Sequence, residues 1–209
     1  MRFKGPREAG LALASRLGEY VEAEGALVIA LAHGGVPVGL EVSKSLRLPL
    51  DLLLLRRLLV PHGPDDPLCV ASVAGALFLD EEVTSRADGD AALGHFLASA
   101  LAEFDERVSA CRGERAPLDL KGRTVLLVDN GVRTGSTVRA ALRALRSRGP
   151  ARVVVAAPVA ATEALASIEA ASDDFVYLAT PEPFGHVGLW YEDFARPSDE
   201  EVRAMFLSS

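Results

Sequence analysis

Cysteine is scarce. The chain of 209 residues has two, Cys69 and Cys111, too few and too far apart for a disulfide framework, which points to a reducing, cytoplasmic setting. None of the four histidines, His33, His62, His95 and His186, pairs with a cysteine at zinc-ligand spacing. No apolar run reaches the roughly 18 residues of a membrane span, and Met1 to Gly10 has no apolar stretch of signal length. There is no internal repeat and no low-complexity tract. Lysine is almost missing too: Lys4, Lys44 and Lys121 are the only three among 22 basic residues, so any cation needed for chemistry falls to arginine. The formal net charge of −7 excludes a general nucleic-acid surface, which needs clustered cations. It leaves room for a small anion, because a few backbone amides and one helix start can hold a phosphate in an acidic protein.

What is present is apolar and periodic. Residues 26–32 and 50–55 are wholly apolar or nearly so, 124–129 and 151–158 repeat the pattern, and 175–179 closes the series. Helical periodicity fills 6–20, 36–46, 135–148, 161–171 and 198–207. Short apolar strands alternating with helices predict an α/β fold, a doubly wound parallel sheet of about five strands buried on both faces. Ser198 followed by Glu201 is a capping-box pattern. The segment 61–118 breaks the rhythm. It opens with Pro61, Gly63, Pro64, Asp65, Asp66 and Pro67, a loop signal, then offers a small hairpin (Leu68–Val73 and Ala76–Leu79) and a long helix from Asp80 to Arg112, interrupted near Asp88-Gly89-Asp90.

The strongest chemical signal is the run Val125-Leu126-Leu127-Val128-Asp129-Asn130-Gly131-Val132-Arg133-Thr134-Gly135-Ser136-Thr137. An apolar strand runs into a polar pair, then a glycine-bracketed turn, then a helix. Gly135 admits a ligand close to the backbone. Thr134, Ser136 and Thr137 offer hydroxyls beside the unpaired amides of a helix start, where the dipole favours negative charge. Asp129 and Asn130 can bond vicinal hydroxyls. A phosphate at one end and a diol at the other describe a ribose 5-phosphate; an ordinary capped strand-to-helix turn has the same outline. A Walker loop is excluded because no lysine follows the glycine.

These residues resemble the PRPP signature of type I phosphoribosyltransferases, and the chain from about 3 to 207 is similar to a bacterial branch of predicted phosphoribosyltransferases. The resemblance implies one phosphoribosyltransferase-like domain over 1–209, with 61–118 as an insertion and 180–197 as a hood-like loop. It implies transfer of the 5-phosphoribosyl group of PRPP to a nitrogenous acceptor, with release of pyrophosphate and with Mg²⁺ as cofactor, carried on the pyrophosphate and in reach of Asp129. Carried onto this chain, Asp129 and Asn130 hold the ribose hydroxyls, and Arg133, Thr134, Gly135, Ser136 and Thr137 take the 5′-phosphate. The loop Ala32-His33-Gly34-Gly35-Val36-Pro37 takes pyrophosphate through His33, Gly34 and Gly35, helped by Arg56. Arg57 joins Asp129 and Asn130 as a candidate catalytic group. The stretch 180–194 supplies Phe184, Trp190 and Tyr191 as a platform for a flat acceptor, and the 61–79 segment stands where the family carries a closing hairpin. Two positions depart from the pattern: Asn130 replaces the second acid, and His33 replaces an arginine. Both remove charge, so a PRPP- or nucleotide-binding sensor without turnover stays open, as does another activity on a phosphorylated ribose. A homodimer is expected from the frequency of two-fold symmetry.

Overall fold

The structure is a computed structural model that describes residues 2–58, 68–73, 75–79 and 91–209. In chain order the elements are α1 (Pro6–Arg16), β1 (Ala26–Leu31), α2 (Gly35–Leu46), β2 (Leu50–Leu58), β3 (Leu68–Val73), β4 (Ala76–Leu79), α3 (Ala91–Arg112), β5 (Thr124–Val128), α4 (Ser136–Arg146), β6 (Arg152–Val159), α5 (Thr162–Glu169), β7 (Asp174–Ala179) and α6 (Asp199–Leu207). Short 3₁₀ turns lie at Gly18–Tyr20 and Val187–Trp190.

The seven strands form one sheet in the order β4-β3-β2-β1-β5-β6-β7. The five expected strands are there and mutually parallel. The hairpin is not set apart from them: β3 pairs antiparallel with β2, and β4 with β3, so the sheet grows from five strands to seven. The reason is in β2. It does not end at Leu55 but runs on through Arg56 and Arg57 to Leu58, giving β3 a six-residue ladder. The two arginines therefore lie inside a strand and not beyond its end. The expected loop start at 61–67 and the first turns of the expected long helix, 80–90, lie outside the described residues, as does the Arg57 side chain.

Period-two alternation divides the central strands between two cores. Val28 and Ala30 of β1 face one cluster with Leu13 of α1, Val38 and Val42 of α2, Phe104 and Val108 of α3, and Val202 and Phe206 of α6. Leu27, Ile29 and Leu31 face the other, with Val138, Leu142 and Leu145 of α4 and Ile168 of α5. Helix α4 shows why the sequence folds so: Val138, Ala141, Leu142 and Leu145 are buried while Arg143 and Arg146 sit in its last turn, the i, i+3, i+4, i+7 spacing of one helical face.

A buried ion pair ties α3 to the sheet. Asp51 of β2 and Arg112 are 1% and 4% exposed. Arg112 donates to both Asp51 oxygens, and the same carboxylate accepts from the amides of Leu52 (2.6 Å) and Leu118 (3.1 Å). The guanidinium also lies over the Phe206 ring of α6, 5.5 Å from its centroid. Removing one partner leaves an uncompensated buried charge. Asp51→Ala is expected to cost about 3–5 kcal/mol, whereas Arg146→Ala, which breaks an exposed pair with Asp173, is expected to cost less than about 1 kcal/mol. Urea unfolding of the two variants beside the parent checks the contrast.

Candidate functional site

In the parallel sheet, the chain turns one way from β1 to β2 and the other way from β5 through β6 to β7. Ligands in doubly wound sheets sit at such a reversal, beyond the carboxyl ends of the strands. The β1–β5 register, with Ala30 opposite Val128, puts the loops after both strands side by side. They touch. A Cβ on Gly34 would collide with the Asn130 amide, and one on Gly35 would lie 2.6 Å from the Val128 carbonyl and 3.0 Å from the Asp129 Cα. The two glycines are thus needed for the approach of one loop to the other, apart from any ligand.

The loop after β5 is held at its far side. Val132 donates to the Val159 carbonyl (2.9 Å) and accepts from Ala161 (2.8 Å). Gly135 has φ +73, and a Cβ there would press on Ile168 at 2.9 Å, so both backbone and space demand glycine. A cavity of about 300 Å³ opens over this turn, lined by Asp129, Gly131, Val132, Arg133, Thr134, Gly135, Thr137, Val138 and Val187. Of the residues predicted for the 5′-phosphate, all but Ser136 line it; the Ser136 hydroxyl lies 3.2 Å from that of Thr134. Arg139 donates to the Thr134 carbonyl at 3.1 Å and braces the turn from α4.

A second cavity of about 210 Å³ is bounded by Leu31, Ala32, His33, Gly34, Asp129, Asn130, Thr137, Phe194 and Arg196. A third, of about 420 Å³, is lined by Ala32, His33, Leu54, Leu55, Arg56, Phe104, Arg107, Thr137 and Arg196. Thr137 borders all three, so they form one track: cradle, acid–amide pair, then a chamber whose charged lining is cationic. His33, Gly34 and Arg56 reach this track as predicted, while Gly35 is buried under it.

His33 is tied down. Its ring is 7% exposed, and its Nε2 is bonded to the Asp199 carboxylate at the first turn of α6. Arg107 of α3 donates from Nε to the same carboxylate at 2.8 Å and has an Nη 3.3 Å from His33 Nε2. Burial works against ionisation of Asp199, but the Arg107 and His33 hydrogen bonds outweigh it and hold the group below the ordinary carboxyl range. The Cys111 thiol lies beside them. Burial, and then the Asp199 charge, push it up to about 12, so it is a protonated donor. His33, Cys111 and Asp199 present donor atoms within 4.8 Å of one another. Without a metal, the group is joined as a hydrogen-bond network through Asp199 and Arg107. Asp199 is placed by its helix start: Glu201 donates its amide to the Ser198 hydroxyl (3.2 Å) and returns a carboxylate to the Ser198 amide (2.7 Å), which is the predicted capping box.

The hood departs from expectation. Phe184 and Tyr191 are 7% and 1% exposed, in a small core with Phe3 and with Trp190 packed against it. Trp190 donates its indole N–H to the Phe184 carbonyl at 3.0 Å. Tyr191 donates to the Asn130 carbonyl at 2.6 Å, and burial, then the Asp129 charge, hold its phenol above the usual range. Phe3 joins the hood as a short parallel bridge and covers Tyr191, and Phe184 is buried in the same core, so neither ring offers a free face; Trp190 is half-buried. The aromatics that do line the track are Phe194, 40% exposed and 5.2 Å from the Tyr191 ring, and the buried Phe104 of α3. Arg107, Arg196 and Asp199 were missed in the sequence because they belong to no local motif, with the capping box that sets an acid on α6 as the one available signal; Phe194 closes the aromatic 180–194 stretch, where the sequence does not distinguish it from the other rings.

A family model for the phosphoribosyl transferase domain matches residues 9–188. The chain belongs to that family. A curated protein of Mycobacterium tuberculosis H37Rv named "Putative phosphoribosyl transferase Rv0571c" is 36% identical over 198 residues, which is 94% of this chain and 44% of that protein. The chain therefore spans less than half the length of this relative. The crystal structure of TT1426 from Thermus thermophilus covers 100% of this chain and 99% of its own at 38% identity and TM-score 0.82. A hypothetical protein from Neisseria gonorrhoeae, solved with bound ppGpp, shares the fold at TM-score 0.52 and 14% identity, covering 100% of this chain and 98% of that one.

Within the family's loop, Asp129 is the group whose charge depends most on surroundings. Desolvation pushes its carboxyl up to about 7, against the opposing hydrogen bond from the Asn130 amide. The folded protein thus takes up a proton, between the ordinary carboxyl value and about 7, that the unfolded chain does not. On this account folding stability falls as pH rises through that window and is flat above it. Hydroxyls bind best to the ionised form, so ligand affinity runs the other way. Binding of ribose 5-phosphate is expected to strengthen severalfold from pH 6 to pH 8, and Asp129→Asn is expected to lose that part of the rise. Titration calorimetry on both proteins separates the carboxyl from the phosphate's own ionisation near about pH 6.

Proposed function

We propose that this domain binds PRPP along the three-cavity track and transfers its 5-phosphoribosyl group to a nitrogenous acceptor, releasing pyrophosphate. The observation that carries the reading is the order of chemistry around Thr137: a phosphate cradle at a helix start, an acid–amide pair one turn away, and a cation-lined chamber next to it. A 5′-phosphate in the cradle sets the ribose hydroxyls against Asp129 and Asn130. C1′ then faces the space between Asn130 and the His33 loop, where a leaving oligophosphate meets backbone amides and arginine.

In this reading the protein supplies position and charge and forms no covalent intermediate. Thr134, Gly135 and the amides opening α4 fix the phosphate. Asp129 accepts from a ribose hydroxyl and draws the sugar into line. His33, held by Asp199, keeps one edge of the pyrophosphate loop rigid. The donor set fits an Mg²⁺ that arrives on the oligophosphate: Asp129 is the one carboxylate among the described residues lining the ribose cavity, and Mg²⁺ is commonly held by one or two carboxylates plus phosphate oxygens. When bound, the ion would neutralise charge on the departing pyrophosphate.

A second reading, a PRPP- or nucleotide-binding sensor, is favoured by one feature: Asn130 is uncharged where the family pattern has an acid, and Asp129 beside it is itself pushed up to about 7. Titration calorimetry with PRPP, with and without Mg²⁺, tests both. Mg²⁺-dependent binding that weakens at least about tenfold in Asp129→Ala and in Thr134→Ala, as loss of charge-assisted or neutral hydrogen bonds would give, is the expected result. Release of pyrophosphate on adding an acceptor selects transfer, and binding with no turnover across an acceptor screen selects the sensor. Failure of PRPP and of every ribose 5-phosphate nucleotide to bind rejects the phosphoribosyl reading.

A further inference from the structure

The chamber next to the ribose cavity contains one arginine that nothing neutralises among the described residues. Arg56 donates to Glu103 at 2.9 Å and to the Ala100 carbonyl, and Arg107 is committed to Asp199. Arg196 is exposed and has no hydrogen-bond or ion-pair partner among the described residues. It borders both the ribose cavity and the larger chamber, and so stands at their junction. Two residues earlier, Phe194 lines the ribose cavity. Its ring is fixed, with Tyr191 at 5.2 Å on one side and Gly188 so close that an added Cβ would lie 2.9 Å from its edge. Tyr191 is anchored to the Asn130 carbonyl, which ties this aromatic to the loop that would hold the ribose.

A planar acceptor entering the cavity therefore meets an immobilised aromatic ring and an uncompensated guanidinium, a pair that suits a flat ring bearing a carboxylate. Resting on the phosphoribosyl reading above, we propose that Phe194 and Arg196 form the acceptor subsite and that the acceptor is a heteroaromatic acid, its ring against Phe194 and its carboxylate on Arg196. A neutral base would leave Arg196 to the pyrophosphate alone. No carboxylate of the described chain lines either cavity near it except Asp129, which the ribose hydroxyls claim.

Charge-matched pairs test this: orotate against uracil, and nicotinate against nicotinamide, each titrated into the protein holding ribose 5-phosphate and Mg²⁺. The expected result is at least about tenfold tighter binding of an acid than of its neutral partner, the scale of one charge-assisted hydrogen bond. That preference is expected to vanish in Arg196→Gln and to persist in Arg146→Gln, in the last turn of α4, which also leaves ribose 5-phosphate affinity within about twofold. Phe194→Leu is expected to weaken the acid and its neutral partner alike. If ribose 5-phosphate binds but neither acid is preferred, or if the preference survives Arg196→Gln, the acceptor assignment is overturned and the phosphoribosyl reading stands. If Arg196→Gln weakens pyrophosphate instead, the residue belongs to the leaving group and the proposal fails. If ribose 5-phosphate itself does not bind, both fall together.

Discussion

The pairing of β1 with β5 is the contact on which the site depends. Each strand is followed by a loop that lines the track. Parallel register, Ala30 opposite Val128, brings the loops so close that Gly34 and Gly35 pack directly on Asn130 and Asp129. Each loop then serves as the other's wall. A side chain at either glycine would separate them, and with them the phosphate cradle from the chamber beyond the His33 loop. The desolvation that pushes Asp129 up comes from the same crowding.

Around this seam the protein distributes charge against its own average. A chain of net charge −7 lines a chamber with Arg56, Arg107 and Arg196. Two of these cations are matched locally, Arg56 with Glu103 and Arg107 with Asp199. The Asp199 carboxylate bridges α3, α6 and the His33 loop at once. The C-terminal helix, distant in sequence from either signature loop, is thereby a structural part of the site.

The hood is more rigid than its glycine and proline content suggests. Phe3 adds a bridge to Tyr191, donates to the Trp190 carbonyl at 2.8 Å, and packs in one core with Phe184 and Tyr191. Burial of large aromatics here stabilises the connection between the N-terminal segment and the loop after β7, and of the hood's rings it leaves Phe194 lining the track. The family supplies the architecture; the choice of which ring faces inward is made by packing.

The α/β class, the order of strands and helices, the hairpin, the capping box and the glycine turn after β5 were all legible in the sequence. Each is written in a short window, as a run of apolar residues, a periodic stripe or a glycine at a turn, and local backbone preference is enough to express it. Chain order alone could not show that the hairpin would join the sheet, because that rests on β2 continuing through Arg56 and Arg57 until a ladder with β3 forms. Nor could it show that Phe184 and Tyr191 would be covered by Phe3, or that Arg107, Asp199 and His33 would meet across separations of 74 to 166 residues. Motifs by themselves determined the turn that follows β5 and the helix start beyond it. Which side chains surround that turn was decided by tertiary packing, since contacts between distant segments are set by how whole helices seat on a shared sheet.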